Sequence, residues 1–317
     1  MALRAEIRGL LTGLGLVAAA VVVAASGPTY IPGQALLQSL RPHLAVGLLV
    51  YAVVVLFSGA RWRALALAGI AAVSIAHTAW IIIPQQQARA AVAARPTVTQ
   101  FDLLSFNVLN TNKGNSAPIV DMILERDADV VILMEAAPLL PDIERLRTAY
   151  PYGIGCELEA TCDTLLVSKT PLEKSSRLAD LGHIFPRRVI YAASVIDGHR
   201  VNLVAAHLTK PYFDYFSVAE ARVLRKGLNG LEGPVVVAGD FNAAPWSRNL
   251  IRLMRNADLL TGNAYPGTWP VELGDLGVPI DTMFTRAPAV ITSIEGLPDP
   301  MGSNHRGIVA QITLVEQ

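Results

Sequence analysis

The segment Val235-Val236-Val237-Ala238-Gly239-Asp240-Phe241-Asn242-Ala243-Ala244-Pro245 combines two signals. Four apolar residues, three of them β-branched, read as a short buried strand. The strand stops on a carboxylate and an amide, which places both groups at its C-terminal edge. The same pattern recurs along the chain: Val98–Asn107 ends in Ser105-Phe106-Asn107, Val130–Met134 is followed by Glu135, and Val201–Ala206 by His207. Four such strands lying side by side would bring amide, carboxylate and imidazole groups to one rim.

Working outward, Thr164–Ser168, Ile190–Ile196, Ile280–Phe284, Ala289–Ile294 and Ile308–Leu314 read as further strands, and Asp197-Gly198 between two apolar runs signals a tight hairpin. Pro118–Arg126, Leu139–Ala149, Phe216–Leu231 and Ser247–Ala257 read as helices. Strands alternating with helices, plus one hairpin, predict an α+β fold: a four-layered α/β/β/α sandwich of two mixed β-sheets spanning 97–317.

Glu135, Asp240 and Asn242 offer hard oxygen ligands, which suit Mg²⁺, Mn²⁺ or Ca²⁺ rather than zinc. Near the C-terminus, Ser303-Asn304-His305 adds an imidazole, and Asp281 a carboxylate able to orient it. Taken singly, each of these is as readily a turn former or a cap; it is their order as a set that carries weight. Lys210, Arg187-Arg188 and Arg306 read equally well as anion contacts or as solvated surface charges.

The ordered set SFN (105–107), ME (134–135), HL (207–208), GDFN (239–242), TWP (268–270), ID (280–281) and SNH (303–305) resembles the endonuclease/exonuclease/phosphatase superfamily. The resemblance covers essentially all of 97–317 and implies a metal-dependent phosphoric ester or anhydride hydrolase using Mg²⁺ or Mn²⁺. It implies Glu135 as principal metal ligand, with Asn107 beside it holding metal or phosphate, and Asn304 at the metal site. It implies His305 as base or electrostatic partner of the attacking water, oriented by Asp281, and Asp240 as the carboxylate that orients or deprotonates that water. Asn242 would grip a phosphoryl oxygen, and His207 would donate to the phosphate or leaving group. Two departures stand out: Asn304 replaces the family's usual Asp and removes a negative charge from the site, and Leu109 occupies a position that is acidic or amide in some members.

The two cysteines, Cys156 and Cys162, are too few for a zinc site and read as a disulfide closing a short loop if the domain is exported. Export is predicted by the N-terminal third. Of the 317 residues, 52% are hydrophobic and 16% charged, and the excess apolar content lies in residues 1–96. That block carries seven Arg, no Lys and one acid, Glu6, for a net +6; the remainder has 19 basic and 25 acidic residues, a net −6. Three apolar stretches, about 10–26, 44–59 and 64–83, are read as transmembrane helices of an anchor spanning 1–84, with a linker over 85–96 or a helix continuing outward. Arg4, Arg8, Arg61 and Arg63 against Arg41 place the N-terminus inside and the C-terminal domain outside a bacterial cell membrane. A cleaved signal peptide at 10–26 is the competing reading and leaves the domain outside too. His77, inside the third stretch, reads as a neutral, hydrogen-bonded side chain, and Trp62 and Trp80 as interfacial anchors.

A domain of net −6 with scattered lysines is a poor match to duplex nucleic acid, which demands many cationic phosphate contacts. A lipid-linked phosphate or pyrophosphate is the expected substrate, with the bilayer as partner. The overall plan also resembles membrane proteins associated with teicoplanin-type glycopeptide resistance, which would imply isoprenyl-linked cell-wall precursors. An exported nuclease, and a binding protein whose Asn304 marks lost catalysis, are the alternatives.

Overall fold

Strand β1 (Thr97–Asn107) runs parallel to β2 (Val130–Met134), with Asn107 opposite Met134, and antiparallel to β12 (Ile308–Val315), with Ser105 opposite Ile308. With β3 (Tyr152–Ile154), β4 (Leu165–Ser168) and β11 (Ala289–Gly296) they form a six-stranded sheet ordered β11-β12-β1-β2-β4-β3. The second sheet is ordered β5-β6-β7-β8-β10-β9, from β5 (Leu172–Lys174), β6 (Val189–Ile196), β7 (His199–His207), β8 (Val235–Asp240), β9 (Leu260–Thr261) and β10 (Asp281–Arg286). The structure is a computed structural model and describes residues 2–28, 33–156, 162–174, 188–212 and 216–317. Arg187 lies outside them.

Apolar side chains from both sheets, among them Leu103, Ile132, Leu203, Val236 and Met283, are buried between the two layers. The outer face of the first sheet is covered by α5 (Ser116–Arg126) and α6 (Ile143–Ala149), with Ile123 and Leu146 of the helices buried with Leu104 and Leu133 of the sheet. The outer face of the second is covered by α7 (Phe216–Asn229) and α8 (Arg248–Asn256), with Leu224 and Leu250 of the helices buried with Val204 and Val237 of the sheet. The four-layered α/β/β/α sandwich of two mixed sheets is therefore the fold of this domain. The β6–β7 hairpin turns on Asp197 and Gly198, both at positive φ (48° and 82°), as a two-residue type I′ turn requires.

Three short strands, β3, β5 and β9, escape the sequence pattern because two or three residues cannot display an alternation. The helix expected over 139–149 is divided: a 3₁₀ segment, Ala137–Asp142, precedes α6. Pro141 supplies no N–H and interrupts the α-helical ladder there.

Residues Met1–Pro84, with Pro211–Asp214 and Trp246–Arg248, form a separate compact unit. Its helices are α1 (Ala2–Ser26), α2 (Gln34–Ser39), α3 (Arg41–Phe57) and α4 (Arg61–Ala93). Small and medium side chains such as Ala19, Val22, Ala52, Ala64 and Ala71 make the helix contacts. Other apolar side chains on these helices, including Leu16, Val17, Val50 and Val73, are exposed. Among the described residues two helices, Ala2–Ser26 and Arg61–Ala93, are long and apolar enough to cross a membrane; Arg41–Phe57 is apolar but only 17 residues long. Arg41 is buried and donates through Nε to the Ala25 carbonyl at the end of α1.

Of the two readings of 85–96, the helix continuing outward is the one observed: helix runs through Ala93 before β1 starts at Thr97. Its last turns pack within the sandwich unit. Gln86 donates to the Gly262 carbonyl at 2.7 Å and to the Tyr265 hydroxyl at 3.0 Å, and Val92 is buried with Val290 and Val315.

Candidate active site

The strand directions explain why distant residues meet. β1, β2, β7 and β8 all end at the same rim, delivering Asn107, Glu135, His207 and Asp240. β10 is antiparallel to β8 with Asp281 opposite Asp240, so it begins where β8 ends. β12 is antiparallel to β1, so His305, just before it, returns to that rim. Backbone shape does the final aiming: Leu109, Glu135 and Asn242 all adopt positive φ (66°, 53° and 49°), costly for side chains other than glycine and held by the surrounding bonds. Gly239, at φ 146°, lets β8 press against β7; a Cβ there would lie 2.0 Å from the Ala206 carbonyl oxygen.

Asn107 joins the two sheets. Its Nδ2 donates to Asp240 Oδ2 at 3.0 Å and to Glu135 Oε1 at 3.3 Å, while its Oδ1 accepts the Leu109 N–H at 3.1 Å. The other Glu135 oxygen accepts the Asn110 N–H at 2.7 Å. Leu109 thus serves through its backbone. Asp240 Oδ1 accepts the Asn242 N–H at 2.8 Å, and Asn242 Nδ2 donates to the Leu208 carbonyl at 2.8 Å. One amide hydrogen of Asn242 is therefore committed to the backbone, leaving the second for a ligand.

Two histidine–aspartate pairs flank Asp240. His305 Nδ1 lies 2.8 Å from Asp281 Oδ2 and 3.9 Å from Asp240 Oδ2. His207 Nδ1 lies 2.8 Å from Asp163 Oδ2, and its Nε2 lies 3.9 Å from Asp240 Oδ2. Each ring is held through Nδ1 by a carboxylate, which fixes its orientation. Burial lowers the affinity of His305 for a proton, but Asp281, Asp240 and Glu135 outweigh it and raise its pKa to about 9. Burial, reinforced by the charge of Asp281, holds Asp240 above the usual carboxylate range against the two histidines and the Asn242 amide. Burial also pushes Asp163 up, yet His207 and Arg188 overcome it and leave Asp163 below its ordinary value.

Sequence reasoning missed Asp163 and assigned no role to Thr268 or Ser303, although both lie in motifs it singled out. Asp163 is a lone loop acid directly after a cysteine, with no strand-end signature. Thr268, fully buried in the TWP motif, holds the start of β10: its hydroxyl accepts the N–H groups of Ile280 and Asp281 at 3.1 and 3.0 Å. Ser303 donates to the Asn107 carbonyl at 2.7 Å and accepts the His305 N–H at 3.0 Å. Arg306 is spent on the Leu297 carbonyl and Asp275, and Arg188 on Thr209 and the Leu208 carbonyl, with Asp163 and Glu220 within 4 Å. Cys156 and Cys162 are joined as a disulfide.

A divalent cation fits this donor set. Asp240, Asp281 and His305 bring ligand atoms within 4.8 Å of one another, and Glu135 is bonded to Asn107 alongside. Asp281 Oδ1 and Asn304 Oδ1 are buried acceptors with no hydrogen-bond partner among the described residues. Unpaired buried acceptors are costly unless a donor or cation satisfies them.

The Endonuclease/Exonuclease/phosphatase family matches residues 104–305. The chain belongs to that family, whose members hydrolyse phosphoric esters. Its fold is similar to that of an endonuclease/exonuclease/phosphatase from Beutenbergia cavernae DSM 12333, at 17% identity and TM-score 0.53, covering 69% of this chain and 72% of that one. Similar too are D. rerio TDP2 complexed with single-strand DNA product (14% identity, TM-score 0.52, 68% and 99% covered) and a conserved protein of unknown function from Enterococcus faecalis V583 (12%, 0.51, 67% and 98%). No curated protein sequence matches the chain.

Proposed function

We propose that the protein is a membrane-anchored, divalent-metal-dependent phosphoesterase whose active site faces the outside of the cell and whose substrate is a lipid-linked phosphate or pyrophosphate. The observation carrying the reaction is the convergence of Glu135, Asn107, Asp240, Asp281 and His305 at one rim. Mg²⁺ or Mn²⁺ bound there would neutralise non-bridging phosphoryl oxygens. Glu135, Asn107 and Asn304 are the proposed ligands, and Asn107 is shared between Glu135 and Asp240.

The remaining roles belong to the chain's own side chains. Asp240, held above the usual carboxylate range, orients the attacking water and takes its proton. His305, its ring fixed by Asp281, serves as base or electrostatic partner of the attacking water and stabilises charge developing on phosphoryl oxygen. His207, oriented by Asp163, donates to the phosphate or leaving group. Asn242 offers its free amide hydrogen to a phosphoryl oxygen.

The anchoring rests on the exposed apolar side chains of α1 and α4, and the outward orientation on the arginine distribution and the disulfide. The net charge of −6 over 97–317 disfavours extended nucleic acid. The test offers purified full chain in detergent an isoprenyl pyrophosphate, a soluble phosphodiester and duplex DNA, with Mg²⁺ or Mn²⁺, against EDTA and Asp240→Asn controls. Phosphate release from the lipid supports the proposal. Cleaved DNA alone supports a nuclease, and inactivity on all three with an intact fold supports a binding protein. A reporter fused at the C-terminus that signals only from the cytoplasm would sink the orientation.

A further inference from the structure

We propose that the Cys156–Cys162 disulfide is a positioning element of the active site: it sets Asp163, which holds His207, and hydrolysis depends on the bond being formed. The proposal rests on the reading that His207 acts on the phosphate. Asp163 directly follows Cys162 and stands two residues before β4. Strands β3 and β4 are paired with Ile154 opposite Leu166, so the chain leaves β3 and re-enters β4 side by side. Where they diverge, Gly155 sits so close that a Cβ would lie 2.2 Å from the Thr164 carbonyl oxygen. Cys156, at positive φ (57°), then turns inward to meet Cys162. Both cysteines are buried on the outer face of the first sheet with Leu133, Leu165 and Val167.

Asp163 is thereby fixed from two directions. Behind it is the disulfide; ahead of it are Thr164, whose hydroxyl donates to Asp163 Oδ2 at 3.0 Å, and the paired strand. Its carbonyl accepts the Ala136 N–H at 3.0 Å, one residue beyond Glu135, which ties the loop to the end of β2. From this seat its carboxylate reaches across to the second sheet, 2.8 Å from His207 Nδ1 and 3.8 Å from Arg188 Nε. Opening the disulfide releases the N-terminal hold, and the carboxylate then samples positions off the imidazole axis. His207 loses the partner that fixes its ring and tautomer.

The experiment compares wild type, Cys156→Ser/Cys162→Ser, Asp163→Asn and the triple variant as full chains in detergent on a soluble phosphodiester. A dithiol reduces wild type by thiol–disulfide exchange, giving two protein thiols and the oxidised cyclic reagent. Reduction or the double serine variant is expected to lower kcat roughly tenfold with little change in KM, the size typical of losing an outer-shell partner. Asp163→Asn is expected to lose at least as much, and opening the disulfide in that background to cost nothing further. Asp163→Glu should recover part of the loss. Effects that multiply, or activity unchanged by reduction, would overturn the proposal. Should the serine variant fail to fold, reducing folded wild type and Asp163→Asn gives the same comparison. If wild type cleaves none of the substrates, the functional reading fails by itself. The positioning is then decided by the ¹⁵N resonances of the His207 ring, which shift on reduction if the bond sets Asp163 and stay fixed if it does not.

Discussion

Replacing His305 by Gln tests the electrostatics of the site without assuming any substrate. The ring is 2% exposed, and its neighbours Asp281, Asp240 and Glu135 raise its pKa from 6.5 to about 9 against the lowering effect of burial. At ~1.4 kcal/mol per pKa unit, that gap corresponds to ~3 kcal/mol of folding stability. Because the folded value is the higher one, the contribution is complete below the unfolded pKa of 6.5, declines as pH rises, and is gone above about 9. The assay is denaturant unfolding of the full chain in detergent with a chelator present, for wild type and His305→Gln, from about pH 6 to about pH 10. The stability difference between the two should shrink by ~3 kcal/mol across that interval. Adding Mg²⁺ should flatten the curve, since a cation among the same carboxylates removes the attraction that retains the proton. A difference that stays constant with pH would refute the reasoning, because it would mean the carboxylates do not hold a proton on His305.

Three other outcomes follow from the same geometry. Gly239→Ala should cost roughly 3–4 kcal/mol in thermal or denaturant unfolding, because its Cβ must displace the Ala206 carbonyl of the neighbouring strand. Thr268→Val should cost about 1–3 kcal/mol by removing the side-chain acceptor of the buried Asp281 N–H, while the Ile280 N–H keeps the Val278 carbonyl, and should lower kcat by freeing the start of β10 that carries Asp281. Asn304→Asp converts a partnerless amide oxygen into a carboxylate and should tighten Mn²⁺ binding by roughly tenfold in calorimetry; unchanged affinity would place Asn304 outside the coordination shell.

The sandwich was legible because its buried strands are long apolar runs closed by turn formers; Val130–Met134 even coincides with its predicted limits. The rim residues were legible for the same reason, since a polar group directly after such a run must stand at a sheet edge. What stayed hidden depends on contacts between remote segments. Asp163 owes its place to His207, 44 positions away, and Thr268 acts through its hydroxyl on backbone far from the strand ends. The commitment of one Asn242 hydrogen to Leu208 is likewise a tertiary fact that no spacing announces. The helical run through Ala93 was obscured by glutamines and alanines, whose composition fits a linker as well as a docked helix.

The amide of Asn107, at the end of the first sheet, grips Asp240, at the end of the second. Neither half of the sandwich therefore owns the reaction. A fragment carrying one sheet holds only part of the ligand set, and a slip of one sheet against the other would part amide from carboxylate before it melted either layer. The proposed hydrolysis should thus act as an alignment gauge, vanishing early during mild denaturation while the far-ultraviolet circular dichroism of the strands and helices is still intact.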